Sequence, residues 1–198
     1  MRITITGFPG SGKSTLGRGI AESLGLKHYS AGDFWRQIGK ERGLSLMQIQ
    51  ELAKKDASID EEVDKRTEEL GRKEENFVMD GRLAWYFIPE SIKIFVKLDL
   101  GIAAQRVFQD IKEGKKERSQ ETENKSLEQT MQNMEKRMQL DRKRWLRLYN
   151  VDYLDEKNYD IIVDTSKTGI PETRERVLKQ IKQYLSGSKK GTGNKQAK

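Results

Sequence analysis

The sequence predicts an α/β domain: a mostly parallel, five-stranded sheet with helices covering both faces. Three observations carry that expectation. Short apolar stretches alternate with longer amphipathic ones along the chain, the order expected of strand–helix repeats. The later apolar stretches, Phe77-Val78-Met79, Ile92 to Val96 and Ile161-Ile162-Val163, are continuous rather than alternating, as in strands buried on both faces. The length, 198 residues, suits one domain with room for an inserted lobe.

Taken in order, Arg2 to Thr6 alternates as a short strand, and Lys13 to Leu24 places Leu16, Ile20 and Leu24 on one helical stripe that Gly25 can end. Lys27 to Tyr29 is a brief extended piece. Three short helices follow, each opened by a capping pattern: Ser30-x-x-Asp33, Ser45-x-x-Gln48 and Ser58-x-x-Glu61. Phe77 to Met79 is a strand closed by the turn residues Asp80-Gly81, and Ile92 to Val96 is the next. A helix from about Leu100 carries Ala103, Val107 and Ile111 on one face. Lys112 to Lys125 is charged and without period, the pattern of a loop. Ser126-x-x-Gln129 opens a long helix with Leu127, Met131, Met134, Met138, Trp145 and Leu148 near one stripe, expected to pack in the core or at a hinge. Asp160 to Asp164 is a final strand. Pro171 suits the first turn of a closing helix bearing Val177, Ile181 and Leu185.

Composition removes several chemistries. Without cysteine the chain has no disulfide, thiolate nucleophile, zinc knuckle or iron–sulfur cluster. Its one histidine, His28, makes a Ser-His-Asp triad improbable and is assigned a structural role. No stretch reaches the roughly 18 apolar residues of a membrane span, and the opening residues lack the apolar block of a signal peptide, so a soluble, intracellular protein is expected. The net charge of +7 is uneven. Residues 1–105 balance, residues 106–150 carry 12 basic against 8 acidic side chains, and the Gly/Ser/Lys tail of residues 186–198, expected to be disordered, adds four lysines. The internal basic segment is the informative half.

Gly7-Phe8-Pro9-Gly10-Ser11-Gly12-Lys13-Ser14 matches G-x-x-x-x-G-K-[ST] at every fixed position, between a strand and an amphipathic helix. Glycines let the backbone wrap phosphate closely, so that its N–H groups and the helix N-terminus face phosphate oxygens. Lys13 then reaches the β- and γ-phosphates, and the Ser14 hydroxyl is placed for Mg²⁺. Thr15 completes the donor-side set. It also stands where a dinucleotide fingerprint needs its third glycine, so that fingerprint fails. Asp80, ending a buried strand, fits the carboxylate that holds the metal's water shell in P-loop enzymes; an ordinary Asp-Gly turn is the plainer alternative.

These marks, together with Ser30-Ala31-Gly32-Asp33-Phe34-Trp35-Arg36, Asp80-Gly81-Arg82, Ile92-Lys93-Ile94-Phe95-Val96, the long Arg-bearing segment and Asp164-Thr165-Ser166, resemble the nucleoside monophosphate kinases over the whole chain except the tail. The resemblance is greatest to the short-form cytidylate (CMP/dCMP) kinases, because Asp80-Gly81-Arg82-Leu83-Ala84 replaces the Asp-Gly-Phe-Pro-Arg run typical of adenylate kinases. It implies a P-loop NTPase-like three-layer α/β/α domain over residues 1–185, with a helical acceptor-binding insertion at about 31–74 and a mobile lid at about 112–144. Arg36 and Arg82 are then expected to clamp the acceptor's phosphate, with Ser30, Asp33, Asp80 and Gly81 beside the acceptor pocket and Asp64 and Arg66 within reach of the base. Arg137, Arg142 and Arg144 are expected to close over the transferring phosphoryl, and Arg106 to lie near the donor base. ATP and Mg²⁺ are the implied cofactors and CMP or dCMP the acceptor; a cytoplasmic monomer with no membrane or nucleic-acid partner is expected. Plainer alternatives stand beside the arginines: an ion pair with a nearby acid for Arg82, a solvated face for Arg36, Asp64 and Arg66, and i,i+4 pairing along a solvated helix for the lid. Two other functions compete, an adenylate kinase-like or other small-molecule kinase and an RNA- or ribosome-associated P-loop ATPase.

Overall fold

The computed structural model describes residues 1–53, 55–115 and 124–191. Five strands form one sheet in the order β2-β3-β1-β4-β5: β1 (Arg2–Gly7), β2 (Lys27–Ser30), β3 (Phe77–Asp80), β4 (Ile92–Lys97) and β5 (Ile161–Asp164). Every pairing is parallel. All five carboxyl ends therefore open on one edge, where ligands of such sheets bind. Register places Ser30 and Ile5 beside Asp80 on either side of β3.

One face is sealed by α1 (Lys13–Leu24) and α8 (Ile170–Gly191), whose Leu16, Ile20, Val177 and Ile181 join Ile3, Ile5, Val78, Ile94 and Val163 in the main core. The other face is covered by the single-turn helix α5 (Ala84–Phe87) and by aromatic packing of Trp85, Phe95 and Tyr159. Sequence periodicity missed α5, which is too short to show a period. The tail expected to be disordered from residue 186 is helical at its start: α8 runs on to Gly191, and residues 192–198 lie outside the described residues.

Residues 31–73 form a unit of three helices, α2 (Ala31–Glu41), α3 (Leu46–Ala53) and α4 (Ser58–Lys73), around their own small core of Ile38, Ile49, Ile59 and Val63. The Ser30 side chain caps α2, accepting from the Gly32 N–H, while Ser45 and Gln48 satisfy each other's backbone N–H groups reciprocally.

After α6 (Leu100–Lys112) comes α7 (Leu127–Tyr149), roughly 35 Å long at 1.5 Å per residue. It opens at Ser126, whose Oγ accepts from Gln129 N–H. The apolar stripe expected along it is only partly buried. Met134 packs against α6 and Trp145 against Leu83 and Tyr153, but Leu127, Met131 and Leu148 are exposed. The helix thus rests on two anchors, and its remaining apolar side chains lie along a spar rather than in the core. Residues 116–123 of the expected lid lie outside the described residues.

Candidate functional site

The loop from Gly7 to Ser14 leaves β1 at the carboxyl edge and runs into α1. Gly7 is required by space: a Cβ there would stand 2.6 Å from the Val96 carbonyl oxygen. Gly10 and Gly12 hold φ of 75° and 77°, a region that L side chains rarely adopt. Gly12 is the N-cap of α1, and no side chain caps the helix. Its first N–H groups, with the positive end of the helix dipole, thus face the loop. Phe8 pins the loop to the sheet, edge-on to Phe95 with ring centroids 5.7 Å apart.

Asp80, only 3% exposed, lies at the centre of the edge. Its Oδ1 accepts from Ser14 Oγ at 2.9 Å and from Ser30 Oγ at 3.2 Å. His28 Nε2 stands 3.0 Å from Oδ2, within ion-pair distance, and both atoms are buried. Burial works to raise the Asp80 pKa. His28, the nearby Lys13 ammonium and Ser14 together outweigh it and hold the carboxyl below the usual range. A serine hydroxyl and an ionised, buried carboxylate with one unsatisfied oxygen form a hard-oxygen pair that fits Mg²⁺, which takes few protein ligands and completes its shell with water and phosphate. Among the described residues no group of three or more His, Cys, Asp or Glu is placed to hold a metal.

Beside the loop lies a cleft of about 510 Å³. Gly10, Gly12 and Thr15 line it from the loop, Arg106 and Gln109 from α6, and Thr168, Gly169 and Ile170 from the start of α8. Arg106 donates to the Thr165 carbonyl at 3.0 Å, which fixes its guanidinium along the cleft wall.

Across the carboxyl edge, α4 and α7 meet through charge. Arg144 pairs with Asp60, and Tyr149 Oη donates to Asp64 at 2.6 Å. Arg82, just beyond Asp80, pairs with Asp141 of α7 at 3.1 Å. The ion-pair alternative for Arg82 therefore describes this structure, with its partner on α7. Arg137 shares the Asp141–Arg144 face by its spacing and lies close enough to Tyr153 to act on its phenol, which burial, above all, raises to about 12. Ser30 and Arg36 flank one backbone turn: a Cβ at Gly32 would sit 3.5 Å from both Ser30 Oγ and an Arg36 guanidinium nitrogen. Arg36 also pairs with Asp33, and both are exposed.

Two expected site residues lie elsewhere. Arg142 is one step, about 100°, round α7 from Asp141, and its Nε and an Nη both donate to Asp152 Oδ2, at 2.9 and 2.6 Å. Arg66 is two steps from Asp64, about 200° round α4, and pairs with Glu41 of α2 and Glu62. It therefore faces away from the edge to which Asp64 belongs. Conversely, His28, for which the sequence implies a structural role, contacts the central carboxylate. Tyr149 was no candidate either, although an aromatic hydroxyl at the end of an Arg-rich helix was visible. The tryptophans Trp85 and Trp145 are buried anchors.

Asp64 leads to a stability prediction. Burial, helped by the neighbouring Asp60, outweighs the Tyr149 hydrogen bond and raises its carboxyl from 3.8 to about 6. The folded state thus binds this proton more tightly than the unfolded chain. The stabilisation is complete below about pH 4 and is lost as pH rises through about 6. A rise of that size corresponds to at most about 3 kcal/mol. Asp64→Asn keeps an acceptor for Tyr149 and should melt several degrees higher than the parent at pH 7.5, the difference vanishing toward pH 4. Melting curves from pH 4 to 8 check this; a constant offset would contradict it.

Comparison with known proteins points the same way. Residues 2–167 match the Cytidylate kinase-like family. A cytidylate kinase of Pyrococcus horikoshii is 37% identical over 194 residues, covering 95% of this chain and 94% of that one. A cytidylate kinase of Methanothrix thermoacetophila is 36% identical over 167 residues, covering 84% and 90%. Among solved structures, shikimate kinase from Aquifex aeolicus superimposes with a TM-score of 0.59 at 21% identity, covering 93% of this chain and 98% of that one, a likeness of fold.

Proposed function

Since the chain belongs to the cytidylate kinase-like family, we propose that it transfers the γ-phosphoryl group of ATP to CMP or dCMP, giving ADP and CDP or dCDP. The observation that carries this most directly is the meeting of two charge systems at one sheet edge. The glycine-wrapped loop, Lys13 and the Ser14–Asp80 pair stand on one side, and Arg82 and Arg144, each held by an internal carboxylate, stand on the other.

Donor and acceptor bring several negative charges together, and each close pair repels by about 4 kcal/mol at an effective dielectric of 20. The protein's task is therefore to neutralise and align, not to supply a nucleophile. The loop amides and Lys13 hold the β- and γ-phosphates, while the cleft beside Arg106 takes the donor's nucleoside. Ser14 and Asp80 would hold Mg²⁺, which would supply positive charge to offset the charge of phosphoryl transfer. Arg82 orients the acceptor phosphate, with Arg36 and Ser30 at its approach and Asp64 on the base side. The residues 31–73 then form the acceptor-binding insertion and α7 the body of the lid.

Asp141 and Asp60 stand in for phosphate while the cleft is open. An incoming dianion exchanges for them on Arg82 and Arg144, and Arg144 with Arg137 then faces the transferring group. The acceptor phosphate, with a second pKa near 6, is already a dianion at neutral pH, so no side chain need remove a proton. Closure over the site limits transfer to water. A cytoplasmic monomer belongs to the same proposal.

An acceptor panel tests it. ADP release measured with CMP, dCMP, UMP, AMP, GMP and dTMP should be fastest with CMP or dCMP, and hydrolysis without acceptor should be slow. A preference for AMP would refute it. ATP hydrolysis unaffected by any monophosphate, with salt-dependent RNA binding, would favour the nucleic-acid-associated ATPase instead.

A further inference from the structure

We propose that His28 is a positioning residue, fixing the plane of the Asp80 carboxylate so that one of its oxygens stays aimed at Ser14. The inference rests on the reading of Ser14 and Asp80 as the metal-holding pair. Four observations carry it. His28 and Ser30 are two apart on β2 and so project from the same face, and the parallel register sets Ser30 directly beside Asp80. The two oxygens of Asp80 have different neighbours: one accepts from Ser14 and Ser30, whereas the other meets the His28 imidazole at 3.0 Å. A carboxylate can turn about its Cβ–Cγ bond with little resistance, and the second oxygen is buried away from water, so a contact there sets the plane of the group and keeps the first oxygen aimed at Ser14.

The fourth observation is on α1. Gly17 lies inside that helix, where glycine is less favourable than alanine. A Cβ there would stand 3.0 Å from His28 Nε2 and 3.3 Å from its Cδ2. The absent side chain is what gives the imidazole its place. Two sequence choices on different elements, a histidine in a short strand and a glycine within a helix, thus serve one contact with one carboxylate.

The test measures binding rather than turnover. ADP affinity is determined calorimetrically with Mg²⁺ and again with chelator, and the ratio of the two is the metal-dependent gain. His28→Leu should reduce that gain about tenfold or more, the scale for residues that orient metal ligands, and leave the affinity without metal within about twofold of the parent. His28→Gln, with an amide that can donate to Oδ2, should recover most of the gain. Gly17→Ala should lower the gain in the same direction with no fall in melting temperature, and it reads the contact even where His28→Leu fails to fold. A gain unchanged in both His28→Leu and Gly17→Ala, or both affinities falling together with melting temperature, would overturn the proposal. A parent protein with no metal-dependent gain would instead overturn the assignment of Ser14 and Asp80, and this inference with it.

Discussion

Lys13→Ala should reduce kcat by about 10²- to 10³-fold, the usual cost of removing one pre-placed charge or donor from developing transition-state charge, while the protein stays folded. The expected loss is large because Lys13 follows Gly12 at the mouth of the phosphate loop and its ammonium is near enough to Asp80 to help hold that carboxyl ionised. No other part of the loop replaces it: the backbone amides carry only partial charge, and Ser14 is engaged with Asp80. The fold should not suffer, because the core under α1 is made by Leu16, Ile20 and Ala21. Steady-state kinetics with saturating ATP and CMP, beside a melting curve, decide the matter. Near-normal turnover would remove Lys13 from the donor-phosphate role.

Arg82→Ala should lower kcat/KM for the acceptor by 10²-fold or more and change the KM for ATP by less than about threefold. It should also destabilise the protein. Asp141 Oδ2 is buried with no hydrogen-bond partner, and Arg82 is its ion-pair partner at 3.1 Å. A buried acceptor stripped of its partner costs about 1–3 kcal/mol, more when charged. The two effects separate in the double variant Arg82→Ala/Asp141→Asn, which removes the stranded charge. Its melting temperature should return most of the way to the parent while acceptor kinetics stay impaired. Recovery of both would mean that Arg82 is only the structural partner of Asp141.

The paired carboxylates also bear on how such a cleft stays folded when empty. Two guanidiniums aimed at one space would repel each other and gain nothing from folding; Asp60 and Asp141 supply the missing charge from α4 and α7 themselves. On the proposed roles of Arg82 and Arg144, the cost is competition with the acceptor, whose phosphate would displace a carboxylate at each arginine. A dianion that accepts a bidentate pair is the stronger partner, so exchange can favour substrate while the empty cleft remains ordered.

Much of the site was legible in the chain because its information is local. The phosphate loop is eight contiguous residues whose glycines, lysine and serine each have a separate reason to be there, and the strand before and helix after show in their own apolar periods. The alternation of elements likewise fixed a parallel sheet, because parallel strands need crossovers of that length. Asp80 also needed only its place at the end of an apolar run to stand out as a candidate.

What the chain could not show is which way distant side chains turn. His28 and Asp80 are brought together by the parallel pairing of β2 with β3, two strands separated by the whole three-helix unit. On α7, a single step of about 100° sends Arg142 to Asp152 while Asp141 and Arg144 meet Arg82 and Asp60. On α4, two steps turn Arg66 to Glu41 and leave Asp64 against Tyr149. The physical reason is common to all three. Periodicity reports which residues share a face of an element, but the partner that face meets depends on how elements cross, and only tertiary packing sets that.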